Sequence, residues 1–396
     1  MNLPQTQKKD RAIHILQVVG DPVGGIRKHV HSLIMGLDTS EFRQSYAYSD
    51  LASDAQFMQE IETLNSRLEG TIPLHVRKRP HPSDLTNLWI LARYIKRAKV
   101  DVVHGHGAKG GLYARLLARL CDVKSIYTPH GGVVHAMFSK WEDWVYTGVE
   151  RWLFDKTDYF IFESKYTAEA YQKKVNCIAD WWMVNYNGIA EADLIDVAAR
   201  SRALGYDLIP SNVLQIGVFG MLRRQKGQIY AIKAVGRLLA EGHKVILHLF
   251  GDGADKSELQ KAVSQMALND YVKFHGDVSD PEAHMFAMNV VLIPSLFESF
   301  GYVAIEAMAL GKLVIATKVG GLVEIVNNDV GIQIEPRSEI EIANELIQCI
   351  KNPEKMNMLA MHGMRKWESH FTMSKMLQGV RIVYGEVVSS SRQALK

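Results

Sequence analysis

The sequence has few cysteines and no long apolar segment. Its three cysteines, Cys121, Cys177 and Cys349, form neither a C-x-x-C pair nor the spacing of a disulfide framework, which fits a reducing compartment. No apolar run approaches the roughly 18 residues that cross a bilayer. The first residues, MNLPQTQKKDR, lack the apolar centre of a signal peptide. We therefore expect a cytoplasmic protein that is soluble or at most peripheral, on the inner face of the plasma membrane.

A strong charge imbalance is also lacking. The formal net charge is +3, too small to indicate a nucleic-acid partner. The basic excess lies in the first 190 residues, in clusters such as 77–79. A solvated face is the favoured interpretation of these clusters, and an anionic partner surface is the alternative. The chain contains no D-x-D, so a divalent ion that bridges a nucleotide diphosphate has no evident carboxylate ligands, and we expect no metal and no cofactor.

Short β-rich runs alternate with helical patterns along the chain, which has enough residues for two domains. This alternation predicts an α/β fold of two tandem Rossmann-like, doubly wound domains, with ligands bound in a cleft between them at the strand ends. The predicted segments are 1–200, 201–375 and a helix with a tail over 376–396. Strands are predicted over 12–19, 100–106, 124–131, 158–164, 213–220, 244–251, 272–278, 289–295 and 312–319.

The segment GHGAKG, 105–110, matches the G-x-G-x-x-G pattern of dinucleotide-binding proteins. It follows an internal strand, however, and the next strand ends in Thr128-Pro129-His130 rather than in an acidic residue that binds ribose. We therefore disfavour a dinucleotide site. The histidines nearby, His104, His106, His130 and His135, make a metal site the minor alternative, because no cysteine or carboxylate supports them in sequence.

Two strand–helix junctions predict anion binding. Gly24 and Gly25 allow close approach of a phosphate to a helix N-terminus. In the second half, Arg223, Arg224 and Lys226 follow the first strand and favour an anion site over a merely charged surface.

The segment SLFESFGYVAIEAMALG, 295–311, places Glu298 before a predicted helix over 302–310 and Glu306 inside it. The N–H groups of 299–302 would face a ligand. Carboxylates accept hydrogen bonds from hydroxyls, and N–H groups and cations bind an anion. The segment therefore predicts a clamp for a nucleotide-sugar, with hydroxyls at both ends and a diphosphate between them.

Over residues 12–375 the chain resembles the retaining GT-B glycosyltransferases of family 4, which include many bacterial polysaccharide and lipopolysaccharide enzymes. The resemblance lies in E-x7-E at Glu298 and Glu306, in G-x-L-x-x-x-K-G at 220–227, and in shorter motifs. These are FGDG at 250–253, YTPHG at 127–131, GG at 24–25, NGI at 187–189 and GKLVIATKVGGLVEIV at 311–326.

The resemblance implies that a hexose-type sugar moves from a UDP- or GDP-linked donor to a hydroxyl of a glycan or lipid-linked acceptor. The donor would bind the C-terminal domain and the acceptor the N-terminal domain. The implied catalytic residues are His130, Arg223, Lys226 and Glu298. The implied donor-binding residues are Gly24, Gly25, Arg224, Gly251, Gly253, Ser299, Phe300, Gly301, Tyr302 and Glu306.

Met221 departs from the resemblance, because the family usually has arginine at that position. Arg223 is our candidate to replace it, with Arg224 as the alternative. The aromatic stretch 135–154 is interpreted first as helix core and second as a platform for an acceptor or an anionic membrane. The rival functions are a non-hydrolysing nucleotide-sugar epimerase, a phosphorylase and an inactive nucleotide-sugar-binding protein.

Overall fold

The computed structural model describes residues 11–131, 140–177 and 181–390. The chain divides into two compact units, Met1–Asn187 with Met373–Lys396, and Gly188–Thr372. Each unit is a parallel β-sheet flanked by helices. The predicted fold class, two tandem Rossmann-like α/β domains, is confirmed.

The described residues of the first unit form a seven-stranded parallel sheet. Its strands are β1 Ile13–Val19, β2 Phe42–Ser49, β3 Leu68–Leu74, β4 Val102–His106, β5 Lys124–Thr128, β6 Tyr159–Phe162 and β7 Trp182–Val184. The strand order is β3-β2-β1-β4-β5-β6-β7. The order reverses between β1 and β4, which is where ligands bind in open α/β sheets.

Helices connect these strands and bury one face of each against the sheet. They are α1 Gly24–Gly36, α2 Ala55–Leu64, α3 Ser83–Ala98, α4 Gly107–Cys121, α5 Lys140–Phe154 and α6 Lys165–Val175. The central strand β4 is buried along its whole length. Parallel strands covered on both faces read as continuous rather than alternating apolar runs, and this is why they were recognisable in the sequence.

The second unit repeats the arrangement with six described parallel strands. These are β8 Leu214–Phe219, β9 Val245–Phe250, β10 Val272–Gly276, β11 Val290–Ile293, β12 Leu313–Thr317 and β13 Ile332–Ile334, in the order β10-β9-β8-β11-β12-β13. Its helices are α7 Leu194–Ala203, α8 Gln228–Ala240, α9 Lys256–Gln265, α10 Pro281–Ala287, α11 Tyr302–Ala309, α12 Leu322–Ile325, α13 Glu339–Lys351 and α14 Pro353–His370. The order reverses between β8 and β11.

All nine predicted strands are present, with ends displaced by up to three residues. Four further strands, β2, β3, β7 and β13, were not predicted from the sequence. The last two have three residues each, too few for a periodic signal, and β3 includes a proline, which is typical of an edge strand. Helix α1 begins at Gly24, so both glycines of the GG pair lie in its first turn.

The final helix, α15 Met373–Ser389, belongs to the first unit. It buries Met376, Val380, Val383 and Tyr384 among residues of β1, α1 and β4. The compact units therefore divide at 187/188 and 372/373, whereas the predicted segments divide at 200/201 and 375/376. A continuous apolar face of α15 completes the core around β1, which lies at the other end of the sequence.

Candidate functional site

In the second unit the predicted anion-binding residues meet at the switch point of the sheet. The loop that follows β8 contains Arg223, Arg224 and Lys226, and the turn that follows β11 contains Glu298. Strands β8 and β11 are hydrogen-bonded neighbours, so their carboxyl ends bring the two loops together. The backbone N–H of Leu296 donates to the carbonyl oxygen of Gln225 at 2.7 Å and ties one loop to the other.

An ion pair joins the two loops directly. Lys226 Nζ lies 2.6 Å from Glu298 Oε2, and both side chains keep part of their surface exposed. Ser295 Oγ contacts the same carboxylate oxygen at 3.5 Å. A ligand that engages both charged groups must therefore carry an anionic group directly beside a hydrogen-bond donor.

Arg223 and Arg224 are exposed, and within the described part of the chain neither is paired with a carboxylate. A single 3-10 turn, Arg224–Lys226, precedes α8, and Met221 is half-buried. Both guanidinium groups are therefore available to an anion. Both arginines lie in the same loop, so either of them can take the place of the arginine that the family usually has at the position of Met221.

The predicted helix with its two glutamates is confirmed. Helix α11 begins at Tyr302 and ends at Ala309, so Glu298 precedes its first turn and Glu306 is its fifth residue. Gly301 is the residue before the helix, with φ of 118°, and Ser299 and Phe300 connect it to Glu298. Phe300 is buried with its ring 6.1 Å from that of Phe371. This packing holds the turn that presents Glu298.

Gly251 and Gly253 lie directly beneath the cationic loop. The N–H of Gly251 donates to the carbonyl oxygen of Gly276 at 2.7 Å, which connects the ends of β9 and β10. A β-carbon on Gly253 would lie 2.4 Å from the carbonyl oxygen of Leu222. The FGDG strand end therefore packs against the backbone of the loop that carries Arg223 and Lys226.

In the first unit Gly24 and Gly25 are exposed at the N-terminus of α1, whose first turn contains no acidic residue. Nothing in that turn repels an anion, so the predicted phosphate approach is sterically and electrostatically open. By contrast, the GHGAKG glycines have a packing role: β-carbons on Gly105 and Gly110 would lie 2.4 Å and 2.2 Å from backbone oxygens of Gly110 and Val18. They let α4 pack closely on β4 and β1.

His130 follows β5 with φ of 50°, a conformation that non-glycine residues rarely adopt. Its Nδ1 lies 2.8 Å from Glu163 Oε2, which follows β6 directly. Its Nε2 lies 3.0 Å from His106 Nδ1. Backbone strain and two side-chain contacts therefore fix the imidazole.

Two further histidines surround His130. Burial lowers the pKa of His29 to about 3, and burial with neighbouring His104 holds the pKa of His106 well below its ordinary value. Both imidazoles are therefore neutral near pH 7. His29 Nδ1 lies 2.6 Å from Asn187 Oδ1. Neither His29 nor Glu163 was predicted from the sequence; a polar residue directly after a buried strand is the signal that would have indicated Glu163.

Comparison with known proteins identifies the family. A sequence profile described as "Glycosyl transferases group 1" matches residues 207–365, and one described as "Glycosyltransferase Family 4" matches residues 23–192. This chain belongs to the GT-B glycosyltransferases. One profile lies mainly on each of the two units.

Three relatives illustrate the similarity. An uncharacterized glycosyltransferase of Methanocaldococcus jannaschii is 28% identical over 81% of this chain and 84% of its own length. An uncharacterized 41.2 kDa protein in the cps region of Klebsiella pneumoniae is 28% identical over 62% of this chain and 68% of its own. The crystal structure of Anabaena HepE in complex with UDP-glucose superposes with a TM-score of 0.78, at 21% identity, and covers 94% of this chain and 100% of that one.

Among the helices of the described residues, none combines the length and the apolar character needed to span a bilayer. Helix α5 nevertheless exposes Trp141, Trp144 and Trp152, while its Leu153 and Phe154 are buried. The core interpretation of the aromatic stretch therefore holds for one face of α5 only. Residues 135–139 of that stretch lie outside the described residues.

Proposed function

We propose that this glycosyltransferase moves a hexose-type sugar from a UDP- or GDP-linked donor to a hydroxyl of a glycan or lipid-linked acceptor, with retention of configuration. The reaction serves cell-surface polysaccharide or lipopolysaccharide synthesis and uses no metal. The observation that carries the proposal is the 2.6 Å contact of Lys226 and Glu298 beside two exposed arginines. A nucleotide-sugar presents matching groups in the same order: the hydroxyls of the sugar, the anionic diphosphate and the hydroxyls of the ribose.

Each end of this site has a separate task. Lys226, with Arg223 or Arg224, stabilises the negative charge that develops on the departing diphosphate. The backbone N–H groups of Ser299, Gly301 and Tyr302 contribute to the same electrostatic stabilisation. Glu298 accepts hydrogen bonds from the sugar, and Glu306 accepts them from the ribose. Because cations and N–H groups stabilise the leaving group, the reaction needs no divalent ion.

The first unit supplies the acceptor side. In this proposal His130 donates a hydrogen bond to the reacting sugar, and its backbone carbonyl lies near the anomeric carbon. Gly24 and Gly25 approach the phosphates. The acceptor oxygen attacks on the face that the diphosphate leaves, which retains configuration without a covalent sugar–enzyme intermediate.

Relatives support the substrate class. The Anabaena protein was crystallised with UDP-glucose, and the Klebsiella protein is named for its place in the cps region. The bound UDP-glucose agrees with the proposed nucleotide-sugar donor. UDP-linked sugars are accordingly the first donors to test.

We further propose that α5 contacts anionic lipid. Trp141 and Trp144 are 69% and 74% exposed and stack with ring centres 6.5 Å apart. Lys156 Nζ lies 4.0 Å from the ring centre of exposed Trp152. Tryptophan beside lysine is typical of a membrane interface. Co-sedimentation with anionic liposomes at low salt tests this contact, and loss of binding in Trp144→Ala is the expected result.

A thermal-shift screen of UDP-, GDP-, ADP- and dTDP-sugars, with and without EDTA, tests the donor. We expect one nucleotide to raise the melting temperature equally in both conditions. The responding donor is then incubated with glycan acceptors, and NMR of the product reports the anomeric configuration. Conversion of the donor sugar without an acceptor would indicate an epimerase instead, and an inverted product would contradict retention.

A further inference from the structure

Three histidines of the first unit, His29, His106 and His130, face one another and are called here the three-histidine cluster. One ring nitrogen from each lies within 4.8 Å of the other two. The ring centre of His29 lies 5.5 Å from that of His106 and 5.0 Å from that of His130, and the ring centres of His106 and His130 are 5.3 Å apart. Imidazoles that share one zinc ion, at about 2.0–2.1 Å from each nitrogen, have ring centres about 5 Å apart. The spacing is therefore that of three ligands around a common ion.

The outward nitrogen of each ring lies beside an oxygen. The pairs are His29 Nδ1 with Asn187 Oδ1 at 2.6 Å, His106 Nε2 with Gln17 Oε1 at 2.9 Å, and His130 Nδ1 with Glu163 Oε2 at 2.8 Å. Behind His29 and His106 this oxygen accepts a hydrogen bond, which keeps the proton on the outward nitrogen and leaves the lone pair on the inward one. Metal-binding histidines are oriented in this way by the groups behind them.

Without an ion, one inward nitrogen has no partner in the part of the chain that the structure describes, and the other two have only each other. His29 Nε2 is buried and has no hydrogen-bond partner among the described residues. His106 Nδ1 faces His130 Nε2 at 3.0 Å, where two lone pairs repel each other unless one nitrogen carries a proton. A single cation would engage all three nitrogens at once.

The geometry points to a Zn²⁺ site formed by His29 Nε2, His106 Nδ1 and His130 Nε2. Imidazole nitrogen suits zinc, whereas Mg²⁺ and Ca²⁺ prefer oxygen ligands. Three protein ligands leave one tetrahedral position for water or another oxygen. The site is not a cofactor site for transfer, because zinc would bind His130, the side chain proposed to donate a hydrogen bond to the reacting sugar. Zinc therefore inhibits, a consequence that rests on the proposed role of His130.

Binding is measured on the full chain, without substrate, by competition of Zn²⁺ with a chromogenic chelator. We expect one tight equivalent for the wild type, no competition from Mg²⁺, and loss of that equivalent in His29→Gln and His106→Gln. Asn187→Leu, which removes only the acceptor behind His29, should weaken binding about 10- to 100-fold. The exposed His370→Gln is the matched control and should bind as the wild type does.

Wild-type-like binding by His29→Gln, or no tight equivalent in the wild type, would overturn the site. Circular dichroism shows whether the variants fold. If they do not, X-ray absorption of the zinc-loaded wild type decides: a shell of imidazole nitrogens supports the site, and a sulfur shell contradicts it. Inhibition by Zn²⁺ that EDTA reverses tests the consequence separately, since tight binding with unchanged transfer would overturn the role of His130 but not the site.

Discussion

Gly227 and Pro294 are in contact through their backbones: a β-carbon on Gly227 would lie 2.0 Å from the carbonyl oxygen of Pro294. Gly227 also has φ of 66° and precedes α8 directly after Lys226. The close approach of these two residues sets the distance between the loop that carries Lys226 and the turn that carries Glu298. Any side chain at this position separates the cation from the carboxylate.

Gly227→Ala should therefore lower kcat/KM roughly 100-fold, because a displacement of about 1 Å at a positioned group has an effect of this size. Gly242→Ala is the matched control, since Gly242 also has a positive φ, of 83°, but nothing within 4 Å of its β-carbon position. Steady-state kinetics of both variants provide the measurement. Equal losses would show that backbone strain, and not the contact with Pro294, is responsible.

Removal of the Lys226 charge should slow the chemical step. We expect Lys226→Met to lower kcat roughly 10²- to 10³-fold, because the leaving diphosphate loses electrostatic stabilisation. Glu298→Gln should mainly raise KM for the donor, since a neutral amide accepts hydrogen bonds from the sugar hydroxyls more weakly than a carboxylate does. The exposed pair of Lys318 and Glu335, at 2.9 Å, supplies the control Lys318→Met, which should leave turnover unchanged. Normal kcat in Lys226→Met would refute the assignment.

The two exposed arginines of the same loop are predicted to differ. If Arg223 takes the place of the arginine that the family usually has at the position of Met221, Arg223→Ala should lower kcat/KM roughly 100-fold and weaken donor binding. Arg224→Ala should have a smaller effect. Calorimetric titration of the nucleoside diphosphate, together with kinetics, makes the comparison. Near-normal affinity and turnover in Arg223→Ala, with losses in Arg224→Ala, would transfer the role to Arg224.

A buried ion pair stabilises the first unit. Arg115 Nη1 and Nη2 lie 2.7 and 2.8 Å from the oxygens of Glu150, which also accepts from the Tyr171 hydroxyl at 2.8 Å. Glu150→Ala leaves the buried guanidinium without a counter-ion and should lower the free energy of unfolding by about 3–5 kcal/mol. Glu69→Ala breaks the exposed bidentate pair with Arg43 and should cost about 0–1 kcal/mol. Urea unfolding measures the free energy of unfolding of both variants. Equal losses in Glu150→Ala and Glu69→Ala would contradict the conclusion that burial makes the first ion pair more important.

Acid should destabilise the second unit through His248. Burial, together with His275, lowers the pKa of His248 to about 4 in the folded state, against about 6.5 in the unfolded chain. The unfolded chain therefore binds the proton first, so stability falls as pH decreases from about 7 to about 4 and levels off below that. His248→Phe should flatten this dependence, whereas the exposed His370→Gln should not. An unchanged slope in His248→Phe would contradict the prediction.

Local patterns in the sequence were sufficient for most of the fold. The apolar runs of β4 and β11 and the helix with Glu306 follow from residue order alone, because a buried parallel strand and a helix terminator are each encoded within a few neighbours. The E-x7-E and G-x-L-x-x-x-K-G segments were likewise visible as candidates. That they meet at 2.6 Å follows from the pairing of β8 with β11, which the sequence analysis did not assign.

The amino-acid order by itself determined the two α/β units, the family and the residues that can bind an anion. Tertiary structure alone decided that α15 completes the first core, and that His29 and Glu163 join His130. The physical reason is distance along the chain: hydrophobic periodicity and caps act over a few residues, whereas these contacts join elements more than 30 residues apart. Such contacts depend on strand order and on how side chains pack, and no local pattern records them.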